Sequence, residues 1–138
     1  MATINMQTMR YINMLDRVSR VKTTKCFNYN GAIVFAVSKH FVSQAIGPNA
    51  NNIKVIQDNL GKRVKIIKEP QGVDGAKEFI EEIVSPVKFK SLEVKDSELI
   101  VTAGNMQNKA SLLGRNKKRY EELSLIIKDT FSLDLKII

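Results

Sequence analysis

The 138-residue sequence predicts an α/β (α+β) protein built of two similar units, each running α-β-β-α-α-β around a three-stranded sheet. Three observations predict it. The chain repeats itself: the apolar run AIVFAV at 32–37 precedes AIGPNA, and ELIVTA at 98–103 precedes LLGRNK, setting Gly47 and Gly114 67 residues apart. Each copy opens on an apolar stripe of helical period and continues into two strand-like runs joined by turn residues. With 43% apolar residues the chain has enough to bury a core, so it is expected to be folded rather than disordered.

In the first copy, TMRYINMLDRVSRV places Tyr11, Met14, Leu15 and Val18 on one helical face. CFNY and AIVFAV follow as two strands, and Asn30-Gly31 between them is a strong two-residue hairpin signal. A short helix is expected over roughly 40–46, then the glycine loop, then a helix carrying Ile53, Ile56 and Leu60, then the closing strand RVKII. In the second copy, DGAKEFIEEIV puts Ala76, Phe79, Ile80 and Ile83 on one face. The strands VKFKSLEV and ELIVTA, joined around Asp96-Ser97, come next, followed by a short helix over 106–113 and the loop at Gly114. A helix with Tyr120, Leu123 and Ile127 and the strand LDLKII complete it. The closing stretches DNLGKRVKII and DTFSLDLKII are offset by 71 residues rather than 67, a difference of about one helical turn. Pro70, Gly72 and Gly75 in EPQGVDG mark the joint, giving domains at 1–70 and 71–138.

The net charge of +8 points to a polyanionic partner, although basic surfaces also serve solubility. Residues 1–70 hold 11 Lys and Arg against 3 acids, giving +8, and residues 71–138 hold 11 against 11, giving zero. The excess belongs to the first half. No apolar run approaches the ~20 residues of a membrane span, and the N-terminus lacks the order of a signal peptide. A cytoplasmic protein without a membrane partner is expected.

Cys26 is the only cysteine and His40 the only histidine, so an internal disulfide and a thiolate zinc cage are excluded, and a histidine-based triad or metal cluster would have to be built from one imidazole with no second ligand at metal spacing. Cys26 reads as a buried, inert strand thiol and His40 as a surface residue near a helix start. Glu78, Glu81 and Glu82 fall on the polar side of their helix and read as solvated. There is no P-loop lysine motif. No catalytic residue, metal site or cofactor is expected, and the protein is not expected to be an enzyme.

A loop that runs into a helix N-terminus offers unpaired N–H groups and the positive end of the helix dipole, where a phosphate can sit. Glycine at the loop start permits close approach. In AIGPNANNI the candidates are Ile46, Gly47, Pro48, Asn49, Ala50, Asn52, Ile53 and Lys54. In LLGRNKKRY they are Gly114, Arg115, Asn116, Lys117, Lys118 and Arg119, with four cations among them. Taken alone, each glycine between two helices is much more often a turn or C-cap than an anion site, and the recurrence of the loop, the basic charge and the unit order together favour nucleic-acid binding. GRNKKR reads either as a solvated helix start or as cations awaiting an anion, since cations oppose the dipole there.

The unit order and the stretch IGPNANNI resemble the K-homology domain of the prokaryotic type (type II), whose loop motif is G-x-x-G. Two such units in tandem, from about Met9 to Ile138, are similar to the archaeal NusA-like transcription termination/antitermination factors. The resemblance implies that single-stranded RNA lies across each unit, its backbone clamped by the loop with about four nucleotides per unit. Val42, Ile46, Ile53 and residues near Val37 would form an aliphatic groove for the bases. With no Trp and no clustered strand aromatics, an RNA-recognition-motif sheet is not expected, and Phe27, Tyr29 and Phe35 read as core.

RNA polymerase as a partner, transcription termination or antitermination as the setting, and a cytoplasmic location are likewise implied, and a monomer is expected. The units are expected to pack together, with both loops on one RNA surface. The second motif glycine is Ala50 in one copy and Lys117 in the other. A left-handed backbone there would cost roughly 1–2 kcal/mol each, so the expectation is that the loops avoid that conformation or have drifted in function. The competing readings are a ribosome-associated or ribosome-assembly RNA-binding protein, and an interaction scaffold that has lost RNA binding. Ribosomal relatives of this unit carry basic tails or a partner domain, whereas here the sequence ends on its last strand.

Overall fold

The computed structural model describes residues 6–138, so the first five residues of the expected unit 1–70 lie outside it. The chain is of mixed α/β type and divides into two compact units between Glu69 and Pro70.

In the first unit, helix α1 (Met6–Ser19) buries Tyr11 and Leu15, with Met14 and Val18 packed beside them on the stripe that the spacing predicts. It ends locally. Ser19 Oγ donates to Leu15 O at 2.7 Å and accepts from the Val21 N–H at 3.2 Å, while Arg20 turns left-handed at φ 64°. Strands β1 (Lys25–Tyr29) and β2 (Ala32–Val37) form an antiparallel hairpin with Tyr29 opposite Ala32. Asn30 and Gly31 both take positive φ, 50° and 75°, as a two-residue turn of matching twist requires.

A 3-10 turn (Lys39–Phe41) then leads into α2 (Val42–Ile46). The single helix expected from 40 to 46 is thus two pieces, because Phe41 sits at φ −114°, ψ 3°, outside helical geometry. After the loop come α3 (Asn51–Leu60) and β3 (Arg63–Lys68). Gly61, left-handed at φ 67°, stops α3 with its N–H on Gln57 O. Strand β3 pairs parallel to β2, giving the sheet order β1-β2-β3 with β2 central and buried along its whole length. Ile33, Phe35 and Val37 of β2 share the core with Val64, Ile66, Ile56, Ala45 and Leu15.

The second unit repeats the order with α4 (Ala76–Val84), β4 (Ser91–Lys95), β5 (Glu98–Thr102), α5 (Met106–Leu113), α6 (Lys118–Phe131) and β6 (Asp134–Ile137). Its sheet is β4-β5-β6, antiparallel then parallel. Asp96 and Ser97 turn the hairpin at φ 50° and 67°, doing with two non-glycine residues what Asn30-Gly31 does in the first unit. Phe79 and Phe131 meet edge to face with ring centroids 5.8 Å apart, tying α4 to the end of α6. The four-residue offset is located in one element: α6 has 14 residues where α3 has 10.

Two expectations need correction here. The strand expected from Val87 begins only at Ser91, since β5 ends at Thr102 and Ala103 already bonds to Ile138 O on the opposite side. Residues before Lys90 therefore have no ladder to join. The carboxylates of α4 are also not uniformly solvated: Glu78 and Glu81 are exposed, but Glu82 is half-buried.

Candidate nucleic-acid interface

The first loop is built from the end of α2. The Gly47 N–H closes the last helical turn onto Ser43 O at 2.9 Å, and the chain then leaves at φ 79°, ψ 166°. That region of backbone space is essentially reserved for glycine. Space demands glycine as well, because a Cβ on Gly47 would lie 2.8 Å from the Asn52 side chain and 3.0 Å from its backbone nitrogen. Asn49 (φ 55°, ψ 31°) and Ala50 (φ 58°, ψ 28°) follow, both left-handed, and the Ala50 N–H returns to Gly47 O at 3.1 Å. The chain enters α3 from there with no side-chain cap on the helix.

The second loop follows the same path. Gly114 lies at φ 75°, ψ 175°, Asn116 at φ 56°, ψ 28° and Lys117 at φ 59°, ψ 25°. Its N–H bonds, Gly114 to Ala110 O at 2.9 Å and Lys117 to Gly114 O at 3.1 Å, repeat those of the first loop. A Cβ on Gly114 would stand 2.7 Å from Arg119 Cγ. Helix α6 also starts without a side-chain cap.

This overturns the expectation that the loops avoid a left-handed backbone. Ala50 and Lys117 hold it, at a cost of about 1–2 kcal/mol each relative to a relaxed conformation. The neighbouring Asn49 and Asn116 are of a type that tolerates it more readily. Two different residues keep one strained geometry in both units, so the surrounding contacts, not the local preference, set the loop.

A second pair of bonds supplies part of that surrounding. Asn52 Nδ2 donates to Gln44 O at 3.0 Å, and Arg119 Nη1 donates to Ser111 O at 3.1 Å. Each crosses from the first turn of the later helix to the last turn of the earlier one. Gln44 is itself anchored, its Nε2 donating to Ser19 O at 3.0 Å. Nothing in residue type or periodicity marks these bonds, because they join groups eight residues apart through space across the loop.

The structure therefore gathers Ile46, Gly47, Pro48, Asn49, Ala50, Asn52, Ile53 and Lys54 at the α2–α3 corner. Pro48, Asn49 and Lys54 are exposed, while Ile46, Ala50, Asn52 and Ile53 are half-buried. Gly114, Arg115, Asn116, Lys117, Lys118 and Arg119 lie at the α5–α6 corner, where Arg115, Lys117 and Lys118 are exposed cations and Arg119 is half-buried. The loops differ in charge: Lys54 is the lone candidate cation at the first corner. Val42, Ile46 and Ile53 rest against the core with part of their surface open. Val37 is a correction to the expected groove, for it is 1% exposed and belongs to the core.

Elsewhere, Cys26 is half-buried against the core rather than fully buried as expected, and this burial pushes its thiol up to about 12, the behaviour of an inert strand thiol. His40 is exposed. Among the described residues no group of His, Cys, Asp and Glu is placed to hold a metal ion, and no helix is long and apolar enough to cross a membrane.

No protein-family model matches the chain. A protein of Halococcus morrhuae named "Probable transcription termination protein NusA" is 19% identical over 134 residues, covering 96% of this chain and 94% of that protein. Proteins of the same name from Methanocaldococcus jannaschii and Methanococcus vannielii are 26% and 24% identical over 85% and 67% of this chain. The chain spans 64% and 51% of the length of those two. Among solved structures, the crystal structure of APE1850 superimposes with a TM-score of 0.66 at 19% identity, covering 98% of this chain and all of that one, a likeness of fold. By these matches the chain is NusA-like, aligning over most of its length with archaeal proteins of that name.

Proposed function

We propose that this chain is a tandem K-homology, RNA-binding transcription factor. It holds single-stranded RNA at its two glycine loops and modulates transcription termination, antitermination or elongation, with RNA polymerase as its protein partner and no catalysis of its own. The observation that carries the reading is the recurrence of one strained loop, Gly–x–Asn–(Ala50 or Lys117), at the start of an uncapped helix in each α-β-β-α-α-β unit. A backbone kept in a costly conformation in both units, although the residues differ, marks a place where geometry itself is used.

The chemistry follows from the corner. The phosphate backbone lies against the exposed loop and the helix N-terminus, where N–H groups and the dipole favour an anion. At the first unit the half-open Ile46, Ile53 and Val42 offer apolar contact to bases, and at the second Arg115, Lys117 and Lys118 supply charge. The name carried by the relatives supports transcription as the setting.

The test is binding of short single-stranded RNAs across a salt series by the parent, Gly47→Asp and Gly114→Asp. With about 4 phosphates held at a unit, log affinity against log salt has a slope near −3, at roughly 0.7 counterions per phosphate. Each substitution weakens binding in two ways, by adding a carboxylate where phosphate would sit and by adding a Cβ that the positive-φ backbone and the side chain of Asn52 or Arg119 do not admit. A flat salt response, or variants that stay folded and bind like the parent, overturns the reading. Recovery of polymerase rather than ribosomal subunits with the tagged chain from native lysate tests the transcription half of the proposal.

A further inference from the structure

We propose that Asn52 and Arg119 are the positioning residues of the two loops, each a clasp that holds the left-handed loop in shape, rather than contacts to the RNA phosphates. The inference rests on the RNA-binding reading for its consequence, but its geometry stands in the protein alone. Both residues sit five positions after the loop glycine, at the second position of the following helix. Both send a side-chain N–H back to the carbonyl three residues before the glycine, Gln44 O or Ser111 O. An asparagine and an arginine share little else. What they share is a planar N–H donor on a stem that passes over the glycine Cα.

The acceptor explains why a donor is wanted. The last carbonyls of a helix have no partner within it. At the end of α2, Ser43 O is taken by the Gly47 N–H; at the end of α5, Ala110 O is taken by the Gly114 N–H. The next carbonyl in each helix, Gln44 O or Ser111 O, receives the clasp. The clasp also accounts for the glycine, since its side chain occupies the space a Cβ would need, at 2.8 Å for Asn52 and 2.7 Å for Arg119. Glycine, clasp and the two left-handed residues thus form one unit of structure. The clasp ties the two helices across the loop, so that Ala50 and Lys117 cannot relax without breaking it.

The experiment compares Arg119→Leu with Arg119→Asn, and Asn52→Leu with Asn52→Arg. Each swap keeps a donor of the kind the other loop uses on nearly the same backbone. Two readouts are taken: amide hydrogen exchange at Ala50 and Lys117, whose N–H groups bond to Gly47 O and Gly114 O, and single-stranded RNA affinity across a salt series. The Leu variants exchange these amides faster, by about fivefold for the loss of one ordinary hydrogen bond, and lose RNA affinity with the salt slope unchanged. The swaps restore both. If Arg119→Asn loses as much affinity as Arg119→Leu and its slope falls, Arg119 is a phosphate contact and the proposal is wrong. Unchanged exchange in the Leu variants overturns it even without RNA, whereas a parent that binds no RNA while the exchange results hold removes the RNA-binding reading and leaves the clasp as a fold element.

Discussion

Position 117 isolates the backbone term of the loop. Lys117 is exposed and left-handed at φ 59°, ψ 25°, so its side chain contributes little packing and its Cβ carries the strain. Replacing it with Ala removes the charge and keeps the strain, and replacing it with Gly removes both. Relief of the left-handed penalty is worth about 1–2 kcal/mol, and the extra freedom of glycine in the unfolded chain takes back about 0.4–1 kcal/mol. Lys117→Gly should therefore be more stable than Lys117→Ala by a net ~0.5–1 kcal/mol. Ala110, exposed within α5 of the same unit, gives the opposite sign: Ala110→Gly should cost about 1 kcal/mol, as glycine does in a helix interior. Urea unfolding followed by far-ultraviolet circular dichroism measures both comparisons, with unchanged m-values confirming that stability alone has moved. If Ala at 117 is as stable as Gly or more so, the loop is not held in a strained conformation, and the reasoning from strain to function fails.

Ile56 is fully buried in the core of the first unit, so Ile56→Ala should cost about 2–5 kcal/mol, while the exposed Val55→Ala on the same helix should stay within about 0.5 kcal/mol; denaturant midpoints decide. Cys26, with its thiol pushed up to about 12 from 9.0, should resist thiol reagents at pH 8 until the protein opens. Between about pH 9 and 12 the unfolded chain loses this proton while the folded chain keeps it, so Cys26→Ala should flatten part of the fall in stability as pH rises through that window and change nothing in pH dependence below it. Arg115→Ala should reduce the salt slope of RNA binding by about 0.7, and Lys95→Ala on exposed β4 should leave it alone.

What the sequence made legible is what short-range chemistry decides. Asn30-Gly31 announces its hairpin because both residues accept positive φ, and AIVFAV reads as a strand because it is apolar on both faces, as its full burial requires. The four-residue offset between repeats reads as one turn of helix and is one turn of α6. Elements whose limits depend on a partner were harder. The start of β4 is set by where β5 stops pairing, and the runs around Val87 carry strand-like residues with nothing opposite them. The left-handed Ala50 and Lys117 run against local preference, so only the glycine three residues earlier hints at them. The clasp bonds of Asn52 and Arg119 are invisible in the sequence, because an amide and a guanidinium look unrelated until the backbone brings each to an equivalent carbonyl.

The central claim is that the two loop corners are where RNA is held. A titration of the protein with a short single-stranded RNA, followed by backbone amide NMR shifts, tests it most directly. The account predicts that the largest shifts fall on residues 46–54 and 114–119, at both corners and saturating together with binding. Saturable binding with the shifts on the β4–β5 hairpin or the exposed face of α4, and none at Gly47 or Gly114, would contradict it.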